Sequence, residues 1–191
     1  MNLYTLDLIF PIIYSLWFLS EIILNRLRRS NSSDKKGADK NSLLLIWVVV
    51  IPVIVISSYI AQRFYIPIVE SQWTGYTGLA IMIIGIVIRL LVIKSLGRYF
   101  TVDVTIRQDH QLKKDGFYSL VRHPSYFASW LSFAGFGISV NNWISFLLVS
   151  VSALAVFMYR IKVEEEVLIN QFGPQYLEYK KSTKAIIPFI F

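Results

Sequence analysis

Residues 43–61 read LLLIWVVVIPVIVISSYIA, an apolar run without a single charge. Its length matches the roughly 20 residues that a helix needs to cross the hydrocarbon core of a bilayer. A half-buried soluble surface would alternate with period 2 or 3.6, and this stretch does neither. Pro52 near its middle predicts a kink, which membrane helices tolerate. The run therefore points to lipid as the solvent.

The rest of the chain agrees. It has 191 residues, of which 55% are hydrophobic and 16% charged, with a mean hydropathy of +0.54. Soluble domains are rarely so apolar. Upstream, residues 4–24 form a first run, with Asp7 and Glu21 near its ends, where both acids are expected to reach an interface. Downstream, residues 76–96 form a third run, whose Arg89 and Lys94 are expected to snorkel to the headgroups. Gly78 and Gly85 mark close helix approach, within one chain or between two. Runs 126–140 and 143–159 follow, separated only by Asn141-Asn142, which forces a tight hairpin. The fourth run is short for a full crossing, leaving tilt, bilayer thinning or a half-buried hairpin open. The fold class expected is an all-α polytopic membrane protein with about five transmembrane helices, the last two a helical hairpin over 126–159.

Charge sets an expected orientation. The polar connection 25–41 carries Arg26, Arg28, Arg29, Lys35, Lys36 and Lys40, whereas the next carries only Arg63. The positive-inside rule makes 25–41 cytoplasmic. With five spans the N-terminus lies outside, and 97–122 and the tail from Arg160 onward are cytoplasmic. The net charge of +7 is then explained by flanks of membrane spans and anionic lipid, so no nucleic-acid partner is expected. The first run lacks the basic start and small-residue cleavage site of a signal peptide.

Cysteine is absent, which excludes disulfides and thiolate chemistry. The two histidines, His110 and His123, show no metal-ligand spacing, and no metal is expected. Gly135-Phe136-Gly137 lies in an apolar run, where helix packing explains it better than phosphate binding. Two polar clusters remain where helices meet water: Arg122-His123-Pro124-Ser125-Tyr126, and Arg160 with Glu164-Glu165-Glu166. Polar residues at such boundaries are usually functional.

Each cluster also has a structural reading. Arg160 and Glu164, four residues apart, share a helix face and make either an i, i+4 ion pair or a fork for a carboxylate substrate. His123-Pro124 suits a helix start. Tyr118, Tyr126, Tyr176 and Tyr179 fit an interfacial aromatic belt. Arg107, Lys114 and Lys180-Lys181 read as solvated or lipid-facing charges.

The ordered set His110-Gln111-Leu112, Gly116-Phe117-Tyr118, Arg122-His123-Pro124-Ser125-Tyr126, Arg160, Glu164-Glu165-Glu166, Phe172-Gly173, Tyr176, Tyr179 and Pro188 resembles the isoprenylcysteine carboxyl methyltransferase family. The resemblance covers about residues 97–191. It implies an all-helical integral membrane enzyme that uses S-adenosylmethionine to methylate a carboxylate on a prenylated or lipid-like substrate. Its cofactor pocket faces the cytoplasm, and the lipid enters from the bilayer. Carried over by position, it implies cofactor contacts at Thr105, His110, Gln111, Leu112, Lys113, Tyr118, His123, Pro124, Ser125, Tyr126 and Glu164. It makes Arg160 the substrate-side arginine, with Arg160 and Glu164 the catalytic pair. Thr105 stands where eukaryotic members carry Gln, and Lys113 where they carry a small apolar residue. The implied division is 1–96, three transmembrane helices with the basic loop 25–41, and 97–191, the catalytic region.

The residue types suit that chemistry. S-adenosylmethionine offers adenine, a ribose diol, an ammonium, a carboxylate and a sulfonium, so its site needs aromatic faces, carboxylates and donors. Tyr118, Tyr126, His110, His123 and Glu164 supply them. Two other functions fit the same architecture: an NADPH-dependent membrane sterol or enone reductase, with Arg107, Lys113 and Lys114 for a 2′-phosphate, and a non-catalytic lipid-binding protein.

Overall fold

The structure is a computed structural model that describes residues 3–27, 41–102, 104 and 111–187. Seven α-helices are described: α1 (Leu3–Leu27), α2 (Ser42–Arg63), α3 (Trp73–Leu96), the single turn α4 (Phe117–Leu120), α5 (Pro124–Ser139), α6 (Trp143–Phe172) and α7 (Pro174–Ser182). Among the described residues no strand forms. One parallel bridge joins Val121 to Lys184.

Four of these helices are long and apolar enough to cross a membrane: Leu8–Leu27, Ser42–Arg63, Trp73–Leu96 and Trp143–Phe172. The fourth apolar run of the sequence forms α5, with 16 residues. At about 1.5 Å per residue it spans about 24 Å, short of the ~30 Å core. Most of α5 is buried inside the bundle, including Ser129, Ser132, Gly135 and Gly137. Its small residues therefore face other helices.

Glycine makes that burial possible. A Cβ on Gly78 would overlap the Ser139 backbone, and one on Gly135 would overlap the Met82 backbone. A Cβ on Gly85 would meet the Ala128 carbonyl at 2.7 Å. The Gly78 to Gly85 face of α3 thus packs on α5 within one chain. Around this seam Trp17, Leu79, Met82, Phe133, Phe136 and Phe157 form the main core, with Trp17 edge-on to Phe133 at 4.8 Å.

Asn141-Asn142 makes the expected tight hairpin, with Asn141 at φ 47°. The Asn142 side chain caps α6 by accepting from the Ser145 N–H at 3.1 Å and donates to the Phe64 carbonyl at 2.7 Å. Asn141 Oδ1 accepts from the Ile68 N–H at 3.0 Å. Both asparagines thereby tie the hairpin to the α2–α3 connection, pairing backbone groups that lipid would leave unsatisfied. At the opposite end of the bundle lie the end of α1, the starts of α2 and α5, and the later half of α6. Continuing as one helix to Phe172, α6 carries Arg160 and Glu164 on a rigid frame. Gly173, at φ 51°, then turns the chain into α7, where Pro174 takes the first turn.

Candidate functional site

One cavity occupies that opposite end, with about 200 Å³ open to the centres of water-sized groups. Its polar wall is built by Arg122, His123, Tyr126, Arg160, Glu164 and Tyr176. An apolar arm runs between α1 and α2, lined by Trp17, Phe18, Ile46, Trp47, Val50 and Ile54.

Two bonds join the hairpin inside the polar wall. The Tyr126 hydroxyl donates to Glu164 Oε2 at 2.8 Å and accepts from Arg160 Nε at 2.9 Å. Arg160, only 3% exposed, also donates to Ser42 Oγ at 2.7 Å and to the Val102 carbonyl. The two residues that share a helix face are thus linked through a phenol from α5.

His123 sits at the N-cap of α5 with Pro124 in the first turn. Its backbone is held by the tail, because the N–H groups of Arg122 and His123 donate to the carbonyls of Lys184 and Ala185 at 2.9 and 3.0 Å. The ring lies between two carboxylates, with Nε2 3.3 Å from Glu165 Oε1 and Nδ1 3.8 Å from Glu164 Oε2. Glu165 is buried and also receives Arg122 and Lys180. Three successive acids on a helix point about 100° apart, which separates their fates: Glu165 is buried, Glu164 half-buried at the cavity, and Glu166 exposed.

The tyrosines flank the same space. Tyr118, Tyr176 and Tyr179 are buried, and Tyr179 donates to the Tyr118 carbonyl at 2.5 Å. Burial, with Glu164 beside it, pushes the Tyr118 phenol well above its ordinary range, so it stays neutral.

Of the residues expected from sequence, Leu112, Lys113, Tyr118, His123, Pro124, Ser125, Tyr126, Arg160 and Glu164 all line the cavity. Lys113 also pairs with Asp115 at 3.1 Å. Gln111 is exposed and stands outside the lining. Thr105, His110, Arg107 and Pro188 lie outside the described residues.

Two expectations and one alternative reading need correction. Glu21 and Arg89 do not reach for the headgroups; they pair with each other at 3.0 Å across α1 and α3, and both line the cavity. Arg89 also donates to Ser125 and Ser129 of α5. Pairing inward spares each charge the cost of standing alone in lipid. Lys180 is no free solvated charge, since its ammonium meets Glu165. Finally, Tyr118, Tyr176 and Tyr179 form an internal wall, because α7 folds back under the bundle.

Sequence reasoning also gave no role to Arg122 or Glu165, although both stood in the quoted motifs. The available signal was the Glu triplet, whose middle member must face away from its neighbours.

The fold and cavity together define a multi-pass helical membrane protein with its polar groups gathered at one end of an apolar passage. A profile of the isoprenylcysteine carboxyl methyltransferase (ICMT) family matches residues 78–170, from α3 through most of α6. Protein-S-isoprenylcysteine O-methyltransferase B of Arabidopsis thaliana is 33% identical over 135 residues, which is 69% of this chain and 68% of that protein. Protein-S-isoprenylcysteine O-methyltransferase A of the same plant is 34% identical, over 63% of this chain and 62% of its own. Among solved structures, a eukaryotic intramembrane Ras methyltransferase, isoprenylcysteine carboxyl methyltransferase, superposes with a TM-score of 0.59 at 27% identity, covering 84% of this chain and 55% of the other. The chain belongs to the isoprenylcysteine carboxyl methyltransferase family. It is thus a multi-pass membrane protein of a methyltransferase family, and it spans little more than half of that solved chain.

Proposed function

We propose that this protein transfers a methyl group from S-adenosylmethionine to the carboxylate of a prenylated or lipid-like substrate. The observation that carries the reading is a cavity in which a buried Arg-Tyr-Glu link meets an apolar passage between α1 and α2. A lipid-borne carboxylate needs both halves of such a space.

The residues present fit the methyl donor. Aromatic walls from Tyr118 and Tyr126, the Glu164 carboxylate and the His123 ring match the adenosine and amino-acid groups of S-adenosylmethionine. By family resemblance the cofactor contacts are Thr105, His110, Gln111, Leu112, Lys113, Tyr118, His123, Pro124, Ser125, Tyr126 and Glu164. Arg160 is the substrate-side residue, its planar fork suited to a carboxylate.

When bound, S-adenosylmethionine supplies an activated methyl on a sulfonium, and the substrate carboxylate is already a nucleophile. The protein's task is then alignment and exclusion of water rather than proton transfer. Tyr126 fixes Glu164 and Arg160 relative to each other. Trp17, Phe18, Trp47 and Ile54 keep the passage apolar. On this reading residues 97–191 form the catalytic region, while 1–96 supply the lipid-side walls together with Glu21 and Arg89. The basic connection 25–41 supports an orientation with the cavity end of the bundle in the cytoplasm and the N-terminus outside.

Calorimetric titration of the detergent-solubilised protein with S-adenosylhomocysteine and, separately, NADPH tests the reading. Binding of S-adenosylhomocysteine alone is expected. Binding of NADPH alone would move the protein to the reductases, and binding of neither by folded protein would make it a lipid-binding protein.

A further inference from the structure

Residues 64–69 read FYIPIV, an apolar run bracketed by Arg63 and Glu70. The run is not helical, since α2 ends at Arg63 and α3 begins at Trp73. Tyr65 is nevertheless 82% exposed, Phe64 and Val69 are each 55% exposed, and Trp73 is 66% exposed. Trp143, whose N–H donates to the Ile66 carbonyl at 3.0 Å, adds another exposed ring. A contiguous exposed apolar patch of this kind marks a protein or membrane contact.

The α5–α6 turn supplies hydrogen bonds to the backbone of the run. Asn142 Nδ2 donates to the Phe64 carbonyl at 2.7 Å. Asn141 Oδ1 accepts from the N–H groups of Ile68 and Val69 at 3.0 and 3.3 Å, and Asn141 Nδ2 donates to the Val69 carbonyl at 3.0 Å. Pro67 has no N–H to satisfy. Such pairing is what non-helical backbone needs near hydrocarbon.

Length then sets the depth. Helix α5, with 16 residues and about 24 Å, falls about 6 Å short of the ~30 Å core. Its start, at His123, lies among the polar groups of the cavity end. Asn141-Asn142, and the run bonded to them, therefore fall inside the far boundary of the hydrocarbon. The Arg63 guanidinium lies 5.4 Å from the centre of the Tyr59 ring, a length of side chain that can snorkel back to the headgroups.

We propose that residues 64–69, with Trp73 and Trp143, form a lipid-contacting surface seated at the headgroup–acyl boundary of the leaflet opposite the cavity. Exposed apolar side chains continue from it onto Tyr59 and Val55 of α2 and Ile144 and Leu147 of α6, so one apolar solvent covers the whole face. Tyr and Trp rings suit that boundary, with an apolar body and a polar tip. The surface is independent of the methyl-donor reading and needs only the membrane setting.

The chain has no cysteine, so a single nitroxide can be attached through Tyr65→Cys or Val69→Cys, with Val55→Cys in mid-α2 and Glu178→Cys on α7 as lipid and water references. Each labelled protein, in phosphatidylcholine nanodiscs, meets oxygen, which concentrates in lipid, and a water-soluble nickel chelate. At Tyr65→Cys and Val69→Cys the label is expected to collide with oxygen several-fold more than with nickel, as at Val55→Cys, while Glu178→Cys gives the reverse. Nickel collisions equal to or above those of oxygen at either loop position would put the connection in water and overturn the proposal. Shielding from both reagents, with dipolar broadening between labels, would mean that a second copy covers the surface, and would overturn it equally.

Discussion

The Tyr126 hydroxyl on α5 donates to the Glu164 carboxylate on α6 at 2.8 Å, a link that closes the α5–α6 hairpin at the cavity wall. The same oxygen accepts from Arg160, so one phenol fixes both charged groups of the proposed catalytic pair.

Replacing that phenol should loosen both. A hydrogen bond to a charged group is worth about 1.5–3 kcal/mol, so Tyr126→Phe is expected to weaken S-adenosylhomocysteine binding about tenfold and to lower the melting temperature. Unchanged binding and melting would show that the link is incidental.

Arg160 has two duties to separate. It is buried and bonded to Ser42 of α2 as well as to Tyr126, so Arg160→Ala would test packing as much as chemistry. Arg160→Lys keeps the charge but loses the planar fork. Turnover should fall at least about tenfold, while S-adenosylhomocysteine affinity changes only a few-fold. An equal loss of both would assign Arg160 to the cofactor.

The Glu165 cluster should divide by burial. Glu165→Gln leaves Arg122 and His123 facing a neutral group in a buried site, at a cost of about 3–5 kcal/mol if the pair behaves as a broken buried ion pair. Lys180 is 40% exposed on its side chain, so Lys180→Ala should cost no more than about 1 kcal/mol and leave turnover largely intact. Thermal melts of the two variants check the order; the reverse order would sink it.

The α3–α5 seam makes a steric prediction. Gly78→Ala places a methyl against the Ser139 backbone and Gly135→Ala one against that of Met82, neither of which can yield without moving a helix. Each should destabilise by about 1–3 kcal/mol or more. Gly75→Ala meets mainly the Phe10 ring, at 3.0 Å, and should be milder. Size-exclusion and melting profiles of the three proteins give the comparison.

Much of this was legible in the sequence because lipid imposes one rule, uninterrupted apolar runs, and four of the five runs became the long helices. The hairpin was legible because two asparagines leave no other path. The fourth run was legibly short, but length alone could not show that α5 is buried; that follows from its small residues meeting Gly78 and Gly85, a pairing between distant segments. The cavity was partly legible, since His123, Tyr126, Arg160 and Glu164 stood in recognisable motifs. Glu21 and Arg89 were misread because each looks like an interfacial charge when its partner, 68 residues away, is out of view. Tyr176 stood in the quoted motif set, but its place in the cavity lining was not legible, because only the return of α7 beneath the bundle carries it there.

The most direct test of carboxyl methylation is an assay in liposomes with methyl-labelled S-adenosylmethionine and N-acetyl-S-farnesylcysteine as acceptor. Base-labile label, released as methanol and absent when the acceptor carboxylate is already esterified, is the predicted result. Protein that binds S-adenosylhomocysteine yet forms no methyl ester on this or any other lipid-borne carboxylate would contradict the account.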